Sequence, residues 1–192
     1  MDEHYQLQVE KLQQLEDMSV EGRIDLYYGD ETHICSEGYV HYGWQFSDED
    51  VCFLSDKSYK INCFGIINRQ SQCLWQVTQE NINTEFILVF FEKFSFEIQC
   101  TTFVVLDNAR IHKTKAIKER MPYWQKRGLY LFFLPPYSPH LNIAETLWRK
   151  LKKEWLDPPD YLSIDKLAYT LNRCLADMGK GQMVNFSHFN LN

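Results

Sequence analysis

The chain has 192 residues, 45% hydrophobic and 15% aromatic, enough for one domain with a sizeable core and too apolar for intrinsic disorder. No run approaches the roughly 20 apolar residues that cross a bilayer, and the polar, acidic N-terminus reads as neither a signal peptide nor an anchor. Net charge is -6 but unevenly spread: residues 1–106 carry 6 Lys+Arg against 18 Asp+Glu, whereas residues 107–153 carry 11 against 3. That basic block is either a phosphate-facing surface or a set of solvated helix faces. The six cysteines, at 35, 52, 63, 73, 100 and 174, form no Cys-x-x-Cys pair, which argues against structural zinc and for reduced thiols in a cytoplasmic protein.

Taken in chain order, residues 3–18 read as a short polar helix, with Tyr5, Val9, Leu12 and Leu15 at helical spacing. Strand-like runs follow at Arg23–Tyr28, which ends in a turn at Gly29-Asp30, and at Tyr39–Phe46. Ser58–Asn68 and Gln72–Thr78 form a hairpin around Asn68–Ser71. Asn83–Phe96 is apolar nearly all round, a well-buried helix with Asn83 or Thr84 as its N-cap. Thr101–Leu106 reads as a buried central strand, 112–127 as a helix, and Leu129–Leu134 as a second buried strand. Pro135, Pro136 and Pro139 impose an extended loop. A helix over Asn142–Trp155 stops at Asp157-Pro158-Pro159, and a last one, about Ser163–Met178, ends at Gly179. This order predicts an α/β fold with a mixed sheet, antiparallel first and parallel later, and helices on both faces.

Three carboxylates stand where such a sheet gathers ligands, outside the carboxyl ends of its strands. Asp30 follows the first strand, Asp107 follows Thr101–Leu106, and Glu145 lies in the first turn of the helix after the proline loop. Each has another reading. Asp30 suits a turn, and Asp107 suits a cap. Glu145 completes a capping box with Asn142 and sits at ion-pair spacing from Arg149. Trp148 falls on the core face with Ala144, Leu147, Leu151 and Trp155, which favours packing over stacking on a ligand.

The runs V-V-L-D-N-A-R-I-H from Val104 and L-P-P-Y-S-P-H-L-N-I-A-E-T-L-W-R-K-L-K from Leu134 resemble the DDE transposases of the mariner-like superfamily, in its bacterial insertion-sequence branch. The earlier D-L-Y-Y-G-D-E-T-H resembles that branch's first catalytic strand. The resemblance implies a ribonuclease H-like fold, with a mixed five-stranded sheet flanked by helices. It implies an organisation of a helix or linker over 1–20, a catalytic domain over 21–180 and a tail over 181–192. It makes Asp30, Asp107 and Glu145 the catalytic, metal-binding triad, with 37 residues between the second and third members. Mg²⁺, with Mn²⁺ as substitute, would bind there, two ions in all. Asn108 and His112 would support the second aspartate, and Pro135–Pro139 with Tyr137 would set the entry angle of the Glu145 helix. Lys113, Lys115, Lys118, Arg149, Lys152 and Lys153 would contact DNA phosphates.

The implied activity is cleavage at transposon ends and joining of the 3′-hydroxyl to target DNA, at a TA step, by a homodimer in a bacterial cytoplasm, associated with the nucleoid. A stand-alone nuclease of the same fold and a catalytically silent DNA-binding or dimerisation relative are the alternatives. The sequence departs from the family in two places. Asn142-Ile143-Ala144-Glu145 stands where members carry Asn-Pro-Ile-Glu. Only some twenty residues precede the first strand, too few for the usual helix-turn-helix modules, so a separate DNA-binding domain is expected as a partner.

Overall fold

The computed structural model describes residues 3–35 and 59–186. The described residues form a five-stranded sheet in the order β3-β2-β1-β4-β5. Its strands are β1 (Asp25–Cys35), β2 (Lys60–Ile67), β3 (Cys73–Thr78), β4 (Thr102–Leu106) and β5 (Leu129–Phe133). The first three pair antiparallel, and β1–β4 and β4–β5 pair parallel. The mixed sheet and its change from antiparallel to parallel follow the order of elements read from the sequence. The hairpin also lies where the turn residues put it. Asn68 and Gln72 close it, and Ser71 adopts a left-handed φ of 63°. The strand expected at Tyr39–Phe46 lies outside the described residues.

Helices cover both faces. On one, α1 (Glu3–Val20), α4 (Ala144–Lys150) and α5 (Ile164–Ala176) pack with Leu26, Tyr28, Ile34, Cys63 and Val105 into one core. On the other, α2 (Thr84–Glu97) and α3 (Lys115–Lys126) pack with Tyr27, Phe64, Ile66, Val104 and Leu106 into a second. The alternation of side chains along β1 and β4 divides these two sets, since successive residues point to opposite faces. Val104, Val105 and Leu106 are fully buried, so β4 is the central strand expected. Each such side chain contributes roughly 1.5–3 kcal/mol. β5 is instead an edge strand, half-buried beyond Leu129, and its all-apolar sequence gives no sign of which side lacks a neighbour. None of the described helices is long and apolar enough to cross a membrane.

Polar ties hold the layers together. Buried Glu16 of α1 accepts hydrogen bonds from the Tyr28 hydroxyl and from Arg69 Nε at 2.6 Å, joining α1 to β1 and to the hairpin. Glu92 of α2 accepts from Arg120, from Arg127 at 2.7 Å and from Trp124 Nε1 at 3.0 Å, joining α2 to α3. The Arg120 hydrogen bonds lead in holding the Glu92 carboxyl down at about 2.

Two helix boundaries differ from the sequence reading. The helix expected over 112–127 is a 3₁₀ turn, Arg110–Lys113, followed by α3, because the Thr114 hydroxyl caps the N–H of Ile117 and starts a new helix there. The helix expected over Asn142–Trp155 is regular over Ala144–Lys150 and continues as a π turn, Leu151–Trp155. Asn83 caps α2 and Ser163 caps α5 as their residue types dictate.

Candidate active site

The register of β1 against β4 brings the first two carboxylates together. The two strands run parallel, with Tyr28 beside Val105 at the end of the shared ladder. Asp30 and Asp107 each stand two residues beyond that pair. Asp30 does not end the strand in a turn, as the Gly-Asp pair suggested. β1 continues to Cys35, because β2 pairs with it beyond the point where β4 stops, and Asp30 lies opposite Gly65. An antiparallel neighbour on one side thus holds extended the segment that overhangs β4 on the other.

Asp30 is only partly exposed. Burial, reinforced by the charges of Glu145, Glu31 and Asp107, pushes its carboxyl up to about 8. Those charges place Asp107 and Glu145, the other two expected triad members, within electrostatic reach of Asp30. A lone cluster of carboxylates carries more negative charge than it can hold ionised, and its all-oxygen donor set suits a hard divalent cation.

Asp107 is held from one side. Its Oδ1 accepts from the Ala109 N–H at 3.0 Å and lies 2.9 Å from His112 Nδ1. Burial acts to raise its carboxyl, but those hydrogen bonds and the charges of His112 and Lys113 leave it below the ordinary range. His112 is fully buried. Its Nε2 lies 3.0 Å from Glu31 Oε1, an ion-pair distance without hydrogen-bond alignment. Burial opposes the charged imidazolium, but Asp107 and Glu31 outweigh it and lift His112 to about 9. Glu31, Asp107 and His112 offer ligand-type atoms within 4.8 Å of one another. When protonated, His112 is a counter-charge between the two carboxylates.

Glu31 takes a part of its own. It neighbours Asp30 but points to the opposite face, opposite Phe64 of β2, where His112 also packs with ring centroids 6.1 Å apart. The strand's period of two would have separated the two acids, had the strand been read past Asp30.

Glu145 is exposed at the start of α4. The capping box that offered another account of it does not form. The Asn142 N–H donates to the Pro139 carbonyl, and no ion pair joins Glu145 to Arg149. Asn142 does something else. Its side chain donates to the Gly29 carbonyl at 3.0 Å while its Oδ1 accepts from the Ala144 N–H at 3.1 Å, which ties the start of α4 to β1 beside Asp30. Trp148 is core: it is buried over Gly65, where an added Cβ would meet its ring at 2.9 Å. Asp107, Asn108, Leu134, Tyr137, Asn142 and Glu145 line a cleft of about 440 Å³.

The six expected cationic contacts divide. Lys152 is half-buried within reach of Asp30 and Glu145; burial lowers its pKa while those carboxylates oppose the shift. Lys113 donates to Asn108 Oδ1, stands over the Phe133 ring at 4.9 Å, and feels both Lys118 and Asp107. Lys115 pairs loosely with Glu119 at 3.7 Å, and Lys118, Arg149 and Lys153 are exposed.

Residues 25–168 match the family described as DDE superfamily endonuclease. No curated protein matches the chain's sequence. Among solved structures, the chain is similar to the mariner Mos1 paired-end complex with Mg, at 15% identity and TM-score 0.60 over 92% of this chain and 56% of that one. The catalytic domain of Mos1 mariner transposase matches at 15% identity and TM-score 0.55, over 92% of this chain and 83% of that one. The catalytic core domain of BIV integrase matches at 14% identity and TM-score 0.53, over 83% and 86%. The chain spans about half the length of the Mos1 transposase chains in the strand transfer and paired-end complexes. At these identities the likeness is one of fold, and the fold is the ribonuclease H-like one of transposase and integrase catalytic cores. By its sequence match and its fold together, the chain belongs to the DDE superfamily endonucleases.

Proposed function

We propose that this chain is the catalytic domain of a DNA transposase of the mariner-like superfamily, cutting phosphodiesters at transposon ends and joining the freed 3′-hydroxyl to target DNA at TA. The observation that supports it best is the partly buried position of Asp30 beside Glu145 and Asp107, where burial first and the neighbouring carboxylates second push its carboxyl up to about 8. These three would hold Mg²⁺ or Mn²⁺, two ions in all, whose charge favours both ionisation of the attacking oxygen and departure of the leaving one. Cations held there would favour the ionised form of Asp30, which burial and the neighbouring carboxylates disfavour. Asp107 keeps its orientation through Ala109 and His112, and Asn142 keeps Glu145 beside β1. Lys152 balances charge next to Asp30 and Glu145. In the cleavage step water bonds to phosphorus, the bond to the 3′-oxygen breaks, and a 3′-hydroxyl and a 5′-phosphate result. In the joining step that hydroxyl displaces a 3′-oxygen of the target, one phosphodiester exchanged for another with no covalent enzyme intermediate. Preorganised charge and positioning supply the acceleration. A homodimer and a separate helix-turn-helix domain that finds the ends complete the proposed assembly.

Mn²⁺-dependent nicking of DNA by the wild type and by Asp107→Asn tests the reading. The substitution is expected to cost at least ~100-fold, the scale of losing one preorganised electrostatic group. Equal activity in the two would sink the assignment. Joined products on oligonucleotides that carry transposon ends separate a transposase from a nuclease.

A further inference from the structure

Tyr137 combines three features that stability does not explain. It is fully exposed, its φ is 59°, and it stands on the wall of the cleft that Asp107 and Glu145 line. A left-handed backbone is costly for a bulky L-residue and persists only where the surroundings impose it. They do so here. Leu134 donates to the Leu106 carbonyl at 2.9 Å, and Pro135 is buried. The buried Ser138 hydroxyl reaches back to the Pro136 carbonyl, and Pro139 opens a 3₁₀ turn. The strain is not offset by packing, because the ring buries nothing. Two other exposed aromatics differ in this respect. Phe96 carries the Arg127 guanidinium at 3.8 Å from its ring centre, and Tyr123 carries that of Arg120 at 4.8 Å. Among the described residues, Tyr137 has neither a ring contact nor a hydrogen bond.

An aromatic ring held in water on a constrained backbone, beside carboxylates that would bind a metal and through it a phosphate, suits a flat apolar partner that arrives attached to that phosphate. A nucleobase is such a partner, since every base offers a π-face and stacks without regard to sequence. The cleft, at about 440 Å³, lies in the range that accepts a small ligand such as one nucleotide.

We propose that Tyr137 is a stacking platform for one unpaired nucleobase beside the bond being cut, holding the strand end over Asp107 and Glu145. This rests on the DNA-cleaving reading of the same site. The platform accepts a base only after it has left its pair, so frayed or single-stranded ends bind better than fully paired ones.

The test uses the 192-residue chain and oligonucleotides with 2-aminopurine next to the cleavage position, in frayed and fully paired form. Tyr137→Phe keeps the ring. Tyr137→Asn removes it but tolerates the left-handed backbone, and Tyr137→Gly is a second ring-less variant with the strain relieved. Wild type and Tyr137→Phe are expected to change the 2-aminopurine fluorescence and to favour the frayed end. Both ring-less variants are expected to lose the fluorescence change and about tenfold in affinity for that end, with Tm at or above the wild-type value. Ring-less variants that behave as wild type, a Phe variant that fails, or a lowered Tm accompanying the loss would each overturn the proposal. The two readings fail separately. Nicking without any dependence on Tyr137 removes the platform alone, and a Tyr137-dependent signal without metal-dependent nicking removes the cleavage reading alone.

Discussion

Asp30 and His112 respond to pH in the same direction, which makes the isolated site a measurable liability. In an unfolded chain Asp30 ionises near 3.8, in the folded one near 8. The unfolded state therefore gains charge first as pH rises, and folding loses support between about pH 4 and 8. His112 moves from 6.5 to about 9, so the support it gives is complete below 6.5 and is lost as pH rises through 9. Without metal, Tm is expected to fall between pH 6 and 9. One kcal/mol corresponds to about 2–4 °C in a chain of this size, so the drop is readable by differential scanning calorimetry. Mg²⁺ or Mn²⁺ should restore stability most at the alkaline end, where Asp30 most readily gives up its proton. Asp30→Asn should flatten the profile and abolish the metal effect. A metal-free Tm that stays level over this range, or a metal shift that survives Asp30→Asn, would contradict the reading.

At the scale of elements, what matters is how α4 is held against β1 and β2. Asn142 ties its first turn to the Gly29 carbonyl, and Trp148, one turn further on, seats its ring on Gly65, the residue opposite Asp30. Gly65 is needed for close approach: a Cβ there would meet Trp148 Cη2 at 2.9 Å and Cζ2 at 3.1 Å. Gly65→Ala should therefore lift α4 from the sheet, costing about 1–3 kcal/mol as overpacking does. It should also move Glu145 away from Asp30 and Asp107. Urea denaturation checks the first effect and Mn²⁺-dependent nicking the second. A variant destabilised as expected but fully active would show that Glu145 does not act from this position. On the opposite face Glu92, with its two arginines and Trp124, fixes α3 to α2, and so fixes the 3₁₀ turn before α3 that carries His112.

For the whole molecule the relevant quantity is the contrast between a basic segment and an acidic remainder. Residues 107–153 hold 11 of the 20 Lys+Arg, and the two groups around Lys113–Lys118 and Lys152 lie on either side of the Pro135–Pro139 loop in sequence. If these lysines neutralise phosphates, DNA affinity falls with salt in proportion to the number of contacts, each contributing roughly 0.9 to the log–log slope. Lys113, Lys115 and Lys118 changed together to Ala should reduce that slope by about 2–3, measured by fluorescence anisotropy across salt concentrations. An unchanged slope would assign them to solvation of an exposed helix instead.

Much of this organisation is written locally. β-Branched runs mark β4, Asn68–Ser71 mark the hairpin, and Asn83 and Ser163 mark helix starts, because each depends on neighbours close in the chain. The strand Asp107 follows and the helix that opens with Glu145 were legible for the same reason. The length of β1 was not, because what keeps Asp30 extended is β2, more than thirty residues away in sequence. Nor was Glu31, whose part depends on the opposite face of the strand and on a histidine from another element. Asn142 reads as a cap, yet its amide reaches β1, a contact invisible to any local rule. The sequence by itself determined the elements, the central strand and the residue types that suit metal chemistry. Only the tertiary structure decided which carboxylates crowd, which acid faces His112, and that Glu145 is free of a capping box. Repulsion, burial and hydrogen bonding between distant residues exist only once the sheet has brought them together.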